Sequence, residues 1–278
     1  MSLVYDAQQF TLYVGYFLLF AGVIGNGINI LIFTKVRAYR TTSCTFYFLI
    51  GSIDNILYLL VNVTLRILGV GYNINVTDRS SAWCKARQYF IVVPAVLSIG
   101  CSCLATADQF FITSRNASLR RCGDIGWAHR IIIIAIILSF LHGIPVLLFF
   151  DISPISSNCL NLSAGYRIYQ LFYLIGVICV IPVLIMIIFG WLTYHNIHQT
   201  MNLAELQVDR QLIRMTLIHV ILVTISLLPY GIYTTYSLLT SSIVKNYDRQ
   251  FQEYLASSIL SLVTYFYNAV CENQSSVE

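Results

Sequence analysis

The chain has 278 residues, of which 58% are hydrophobic and only 10% are charged, and its formal net charge is +4. Soluble globular domains carry about 25% charged residues, so this chain has too little polar surface for a body that faces water on all sides. The composition favours a membrane protein, and the lack of a Lys/Arg-rich run in the sequence argues against nucleic-acid binding.

Seven apolar segments have, or approach, the length of about 20 residues that a helix needs to cross the hydrocarbon core of a bilayer. In chain order they are 10–33, 45–69, 89–112, 130–150, 166–191, 212–239 and 254–271. Their apolar runs lack the two-residue alternation of membrane strands, which predicts helices rather than a barrel. We therefore predict an all-α membrane protein in which residues 1–278 form a single domain, a seven-transmembrane helix bundle.

The first apolar segment must be distinguished from a signal peptide. The residues that begin the chain, MSLVYDAQQF, contain no basic region and no small-residue cleavage site. The apolar run that follows is longer than a signal-peptide core of roughly 7–15 residues. We interpret it as a membrane helix that is retained in the mature protein.

The second and third segments contain charged residues, each of which costs roughly 2.5–3.5 kcal/mol on insertion scales and needs a compensating environment. Asp54 has two open interpretations, an ion or proton site and a buried carboxylate hydrogen-bonded to Asn26 or Asn55. Arg66, near the outer end of its segment, either contacts a ligand or extends to the lipid headgroups. Asp108 lies near the inner end of the third segment, where a carboxylate can reach cytoplasmic water.

Basic residues are distributed unevenly between alternate connections. Nine fall in or beside the first, third and fifth connections: Lys35, Arg37, Arg40, Arg115, Arg120, Arg121, Arg130, Arg210 and Arg214. Six fall in or beside the second, fourth and sixth connections: Arg79, Lys85, Arg87, Arg167, Lys245 and Arg249. The positive-inside rule then predicts the N-terminus outside and the C-terminus inside. The sequons at Asn75 and Asn161 lie in outer loops and are candidate glycosylation sites.

The order and spacing of several motifs resemble those of the rhodopsin-like (class A) G-protein-coupled receptors, over residues 10–271. Gly25-Asn26 resembles the GN motif of the family's first helix. Asp54 and Ser98 fall where the family has a sodium-site aspartate and serine, so the resemblance implies a polar sodium site formed by Asn26, Asp54 and Ser98. An allosteric Na⁺ is the only cofactor that it implies.

The resemblance also implies a disulfide bond and two kinked helices. The third segment opens with Trp83-Cys84, similar to the cysteine that the family bonds to the second outer loop, and Cys159 lies in that loop. The implied pair is Cys84–Cys159, on the oxidising side of the membrane. Pro182 and Pro229 match the helix-kink prolines of the fifth and sixth helices.

The chain departs from the family at its G-protein switch. Asp108-Gln109-Phe110 falls where the family has Asp-Arg-Tyr, so Gln109 replaces the arginine. Asp209 lies where many members have an acid that pairs with this arginine, yet Gln109 offers it no charge. We expect the inactive-state ionic lock to be a neutral hydrogen bond at best, which raises basal activity or weakens G-protein engagement. The seventh segment also lacks an Asn-Pro-x-x-Tyr motif.

These features predict a multi-pass receptor of the plasma membrane that transmits an extracellular signal to a heterotrimeric G protein. The outer half of the third segment lacks the acid that anchors amines in the family, which argues against a monoamine ligand. The chain most resembles the family's orphan and short-peptide receptors, and this resemblance implies a neuropeptide as the ligand. The candidate ligand-cavity residues are Arg66, Gln88, Gln170, Tyr173, Tyr233 and Tyr236.

Three other classes of protein are alternatives to a receptor. A non-signalling protein with the receptor fold is consistent with Gln109 and the altered seventh segment. A channel or transporter would use Asp54 and Arg66, but the sequence shows no inverted repeat. An enzyme is not expected, because the sequence has no HExxH, GxSxG or paired acidic metal motif.

Overall fold

The computed structural model describes residues 2–37, 39–40, 42–154, 157–161, 163–199, 207–240, 243 and 245–270. Within these ranges, seven long helices occur in the predicted order. They are α1 (Ser2–Lys35), α2 (Ser43–Gly71), α3 (Ser81–Thr113), α4 (Ile125–Phe149), α5 (Ala164–Phe172, Tyr173–Val180 and Ile181–Gln199 in succession), α6 (Gln207–Leu239) and α7 (Tyr247–Val270). A short helix at Ala117–Arg120 and single 3₁₀ turns at Val76–Asp78 and Arg121–Gly123 lie in the connections.

Six of the described helices are long and apolar enough to cross a membrane. These stretches are Val4–Lys35, Ser43–Gly71, Ser81–Thr113, Ile125–Phe149, Gly165–Ile197 and Arg214–Ser237. The seventh predicted span is helical as far as Val270, but α7 does not meet the same measure because it contains four tyrosines, three serines and the charged residues Asp248, Arg249 and Glu253. Helix α7 nevertheless packs along α1 and α6 and completes the bundle.

Helix α3 lies at the centre of the bundle and contacts α2, α4, α5 and α6. Because successive helices run in opposite directions, α1, α3, α5 and α7 all begin at the same end. We call this end the disulfide end and the other the inner end. Clusters of buried apolar residues pack between the helices, whereas α4 exposes most of its apolar side chains, as expected for a helix that faces lipid.

A two-stranded antiparallel hairpin, which the sequence analysis did not predict, covers part of the disulfide end. It consists of β1 (Phe150–Ile152) and β2 (Cys159–Asn161), with Asp151 opposite Leu160. Cys159 in β2 is bonded to Cys84 in the first turn of α3, which confirms the implied disulfide. A hydrogen bond from the Ser81 side chain lowers the pKa of Asp151, which also faces Lys85 at 3.7 Å, so β1 is held to α3 by polar contacts as well.

Helices α2 and α5 contain π-helical turns at Leu59–Val63, Ile67–Gly71 and Tyr173–Val180. Such wide turns are rare overall, and many of those that do occur lie at functional sites. Pro182, one of the predicted kink residues, follows the third of them, and its missing N–H cannot close a regular helical bond there. Pro229, the other, lies inside α6.

Candidate functional site

Buried polar side chains from five helices meet inside the bundle. We call this set the polar core; it consists of Asn26 (α1), Asn55 (α2), Ser98 and Ser102 (α3), His219 (α6) and Tyr267 (α7). The Asn26 Nδ2 atom donates to the carbonyl of Asn268 in α7 at 2.9 Å and to that of Gly22 at 2.8 Å. The Asn55 Nδ2 atom donates to Asn26 Oδ1 at 3.4 Å, so one amide joins α2 to α1.

The two serines of α3 extend this network to α6 and α7. The Ser98 hydroxyl donates to Asn55 Oδ1 at 2.8 Å and lies 3.0 Å from the Tyr267 hydroxyl. The Ser102 hydroxyl lies 2.9 Å from the same tyrosine oxygen and 2.7 Å from His219 Nε2. Since buried polar groups need hydrogen-bond partners, a shift of any one helix must break or exchange bonds in this network.

Asp54 lies near the polar core but takes no part in the hydrogen bonds just described. It is 7% exposed, and its Oδ2 atom has no hydrogen-bond partner among the described residues. Its expected partners Asn26 and Asn55 bond to each other instead. A buried carboxylate oxygen without a donor suits a proton or a cation, but the hydroxyl of Ser98 is directed to Asn55. A Na⁺ bound by Asp54 and Ser98 therefore stays a prediction.

At the inner end, Asp108 is buried rather than solvated. It is 4% exposed, and a Cβ atom on Gly123 would lie 3.5 Å from its Oδ1 atom. The Ser43 hydroxyl donates to the Gly123 carbonyl at 2.8 Å. The expectation that Asp108 reaches water is wrong for this structure, because the turn at Arg121–Gly123 covers its carboxylate and is fastened to α2.

Gln109 follows Asp108 and is more deeply buried than either Asp108 or Phe110. It is 1% exposed, and both its Nε2 and Oε1 atoms lack a hydrogen-bond partner among the described residues. Phe110 packs against Phe111 and, at 5.5 Å between ring centroids, against Phe189 of α5. Asp209 lies in α6, and its side chain lies outside the described part of the chain, so its predicted contact with Gln109 stays a prediction.

The six candidate ligand residues do not line one described cavity. Arg66 lines a cavity of about 270 Å³ at the disulfide end, and its Nη2 atom donates to the Ser258 carbonyl of α7 at 3.4 Å. Tyr173 is buried beside His142 of α4, with 4.5 Å between ring centroids. Gln88 and Gln170 are partly buried and are not among the residues of the Arg66 cavity.

Tyr233 and Tyr236 belong to an ionic cluster that joins α6 to the first turns of α7. The Glu253 carboxylate accepts from Lys245 Nζ at 2.6 Å, Arg249 Nε at 3.1 Å and the Tyr236 hydroxyl at 2.9 Å. The Tyr233 hydroxyl donates to the Glu253 carbonyl at 2.7 Å. These two tyrosines therefore close the disulfide end between α6 and α7.

The two candidate glycosylation sites differ in access. Asn75 is exposed in the loop after α2. Asn161 lies in β2, where its Oδ1 atom accepts from the Ser163 backbone at 3.0 Å and its Nδ2 atom is buried. Because a glycan is attached through Nδ2, the structure favours Asn75.

Three residues of this arrangement were missed as site residues. His219 and Tyr267 complete the polar core, and Arg87 lines the Arg66 cavity. An ionisable residue inside an apolar span is by itself a sign of function, so His219 could have been found from the sequence. In the sequence analysis, Arg87 served only as one of the basic residues that predict the orientation of the chain in the membrane.

A family model described as "7 transmembrane receptor (rhodopsin family)" matches residues 25–271. The matched region begins beside Asn26 of the polar core and ends directly after α7, so it contains both cysteines of the disulfide and the whole polar core. No curated protein matches the chain.

Proposed function

Because the chain belongs to the rhodopsin family of seven-transmembrane receptors, we propose that it transmits the binding of an extracellular ligand to a heterotrimeric G protein. Membership confirms the resemblance seen in the sequence, and with it a multi-pass membrane protein. It also confirms that the chain is not an enzyme, since this is a family of receptors.

The observation that supports signalling best is the polar core. Its hydrogen bonds run without interruption from α1 through α2 and α3 to α6 and α7. Ser98 and Ser102 hold Tyr267 from two successive turns of α3, so a movement of α7 or α6 relative to α3 exchanges these bonds. Two alternative arrangements of one network are what a receptor needs to link a ligand at one end to a partner at the other.

We further propose that the disulfide end faces the cell exterior and that the receptor resides in the plasma membrane. The excess of basic residues at the inner end supports this orientation. A disulfide between Cys84 and Cys159 is also expected on the oxidising side. A peptide remains our favoured class of ligand because the chain resembles short-peptide receptors, and the lack of an acid in the outer half of α3 argues against a monoamine.

A second function, that of a receptor-fold protein without G-protein signalling, is favoured by one observation. The residue in place of the switch arginine, Gln109, has neither a charge nor a described partner for its amide. A site that lacks the guanidinium has fewer donors for a G protein, because arginine carries five N–H donors and glutamine two.

The deciding experiment compares cells that express this chain, its Gln109→Arg variant or neither. Basal second-messenger output and G-protein recruitment are measured, and surface labelling confirms that each protein reaches the membrane. Signal above the empty cells in either version supports the receptor. Silence in both versions at normal surface expression would replace it by the non-signalling function, and equal signal in both would end the role assigned to Gln109.

A further inference from the structure

The cavity at the disulfide end is strongly basic. It lies between the end of α2, the loop that follows, α3 and α7, and its volume is about 270 Å³. Arg66 and Arg87 both line it, together with Asn73 and Tyr254. No aspartate or glutamate occurs among the described residues that form its wall.

The packing of α2 against α3 explains why the two arginines share one cavity. The Asn62 Nδ2 atom donates to the Phe90 carbonyl at 2.9 Å, which fixes the antiparallel register of the two helices. From this contact, Arg66 in α2 and Arg87 in α3 each lie about one helical turn, or about 3.6 residues, closer to the disulfide end. The pair is thus positioned by regular helices rather than by a loop.

Both guanidinium groups have unused hydrogen-bonding capacity. The Nε atom of Arg66 and that of Arg87 are buried and have no hydrogen-bond partner among the described residues. Neither arginine forms one of the salt bridges that the described part of the chain contains. Asp78, the acid of the adjacent loop, accepts from the Cys159 backbone at 2.9 Å. Two partly buried cations without an anion are costly, so the site is suited to an anion from outside.

We propose that this cavity binds a carboxylate group of the extracellular ligand, with Arg66 and Arg87 as its two donors. The planar fork of an arginine matches the two oxygens of a carboxylate, which makes this the strongest type of polar contact available here. The cavity volume holds a carboxylate and a few carbon atoms, so it recognises one acidic end or side chain of a larger ligand. This inference rests on the proposed receptor function, because it names the chemistry of that ligand.

The test measures binding without signalling. The purified receptor is melted in detergent with succinate or with its neutral analogue succinamide, at constant ionic strength. Succinate at ten times its dissociation constant should raise Tm by roughly 3–6 °C, while succinamide leaves it unchanged. Arg66→Gln and Arg87→Gln should each remove most of the shift. Arg79→Gln, which changes an exposed arginine of the adjacent loop, should retain it.

Several outcomes would overturn the proposal: no shift with succinate, an equal shift with succinamide, or a shift that persists in both glutamine variants. A shift with inorganic phosphate but none with succinate would assign the cavity to phosphate chemistry and refute the carboxylate. If a glutamine variant does not fold, Arg66→Lys and Arg87→Lys keep the charge but lose the fork, and should weaken succinate binding several-fold. A chain that binds succinate yet never signals would refute the proposed function, while the carboxylate site formed by Arg66 and Arg87 would stand as a binding site without a signalling role.

Discussion

The replacement of Gln109 by methionine should stabilise the protein. Gln109 is 1% exposed and both polar atoms of its amide lack a described partner. A buried polar group left without a hydrogen bond costs about 1–3 kcal/mol. Methionine has a side chain of similar length and volume but no amide, so Gln109→Met should recover about 1–3 kcal/mol. At roughly 2–4 °C per kcal/mol, Tm should rise by roughly 2–12 °C.

The melting assay can use the receptor's own cysteines. Cys101 and Cys179 are buried thiols outside the disulfide, so a thiol-reactive dye reports their exposure as the bundle unfolds. Ser102→Ala is the matched control at a buried polar site in the same helix. It should lower Tm, because Ser102 is fully bonded and its loss leaves His219 and Tyr267 each short of a partner.

A lower or unchanged Tm for Gln109→Met would refute this reasoning, since it would mean that the amide is satisfied in the resting protein. The same variant should reduce G-protein recruitment when an agonist or a constitutively active background is used. An amide that costs stability in the resting bundle is expected to gain its partners in the signalling one. A stabilised variant that signals normally would show that the Gln109 amide costs stability but is not needed for signalling.

Three further predictions concern packing and the disulfide end. The free energy of unfolding of Gly143→Ala should be lower than that of Gly100→Ala by about 1–3 kcal/mol, and its Tm correspondingly lower. The new Cβ atom at Gly143 would lie 2.5 Å from α3 side chains, whereas that at Gly100 meets open space. The gain in helix propensity is common to both variants, so equal Tm values would contradict the α3–α4 packing. Cys84→Ser should lower Tm and surface expression by freeing the hairpin, and an unchanged Tm would mean that the bond to Cys159 contributes nothing to stability. Asn75→Gln should remove glycan mass on a gel, and a full-size product would exclude Asn75 as the modified site.

The sequence predicted the helices well because a bilayer sets both their length and their polarity. The ends of the apolar runs fell within the observed helices or within a few residues of them, and most helices extend further at one or both ends. These extensions carry polar residues, such as Gln8 in α1 and Gln250 in α7, which a hydropathy pattern counts as loop. The disulfide was predicted from the resemblance because Cys159 is the only cysteine in its loop.

The polar core could not be assigned with the same certainty, because adjacent residues on a helix point about 100° apart. Asp54 and Asn55 are neighbours in the sequence, and both are polar residues in an apolar segment. The structure turns Asn55 towards Asn26 and Ser98, so the amide rather than the carboxylate holds α1, α2 and α3 together. Similarly, a role for Arg87 follows only from the structure, in which the α2–α3 register places it in the same cavity as Arg66.

The two ends of the bundle share one physical feature that explains why the chain can be a switch. Among the described residues, the buried Nε atoms of Arg66 and Arg87 at the disulfide end have no acceptor, and the buried amide of Gln109 at the inner end has no partner. Between them, the polar core is fully engaged, and its bonds can be exchanged only by moving helices. Polar groups without partners raise the free energy of this arrangement of the helices. A binding partner that forms hydrogen bonds with them binds more tightly to an arrangement in which they are accessible, and so favours that arrangement. If the proposed ligand anion binds at the disulfide end and a G protein binds at the inner end, both would favour the same rearrangement of Ser98, Ser102 and Tyr267. Each would then strengthen the binding of the other.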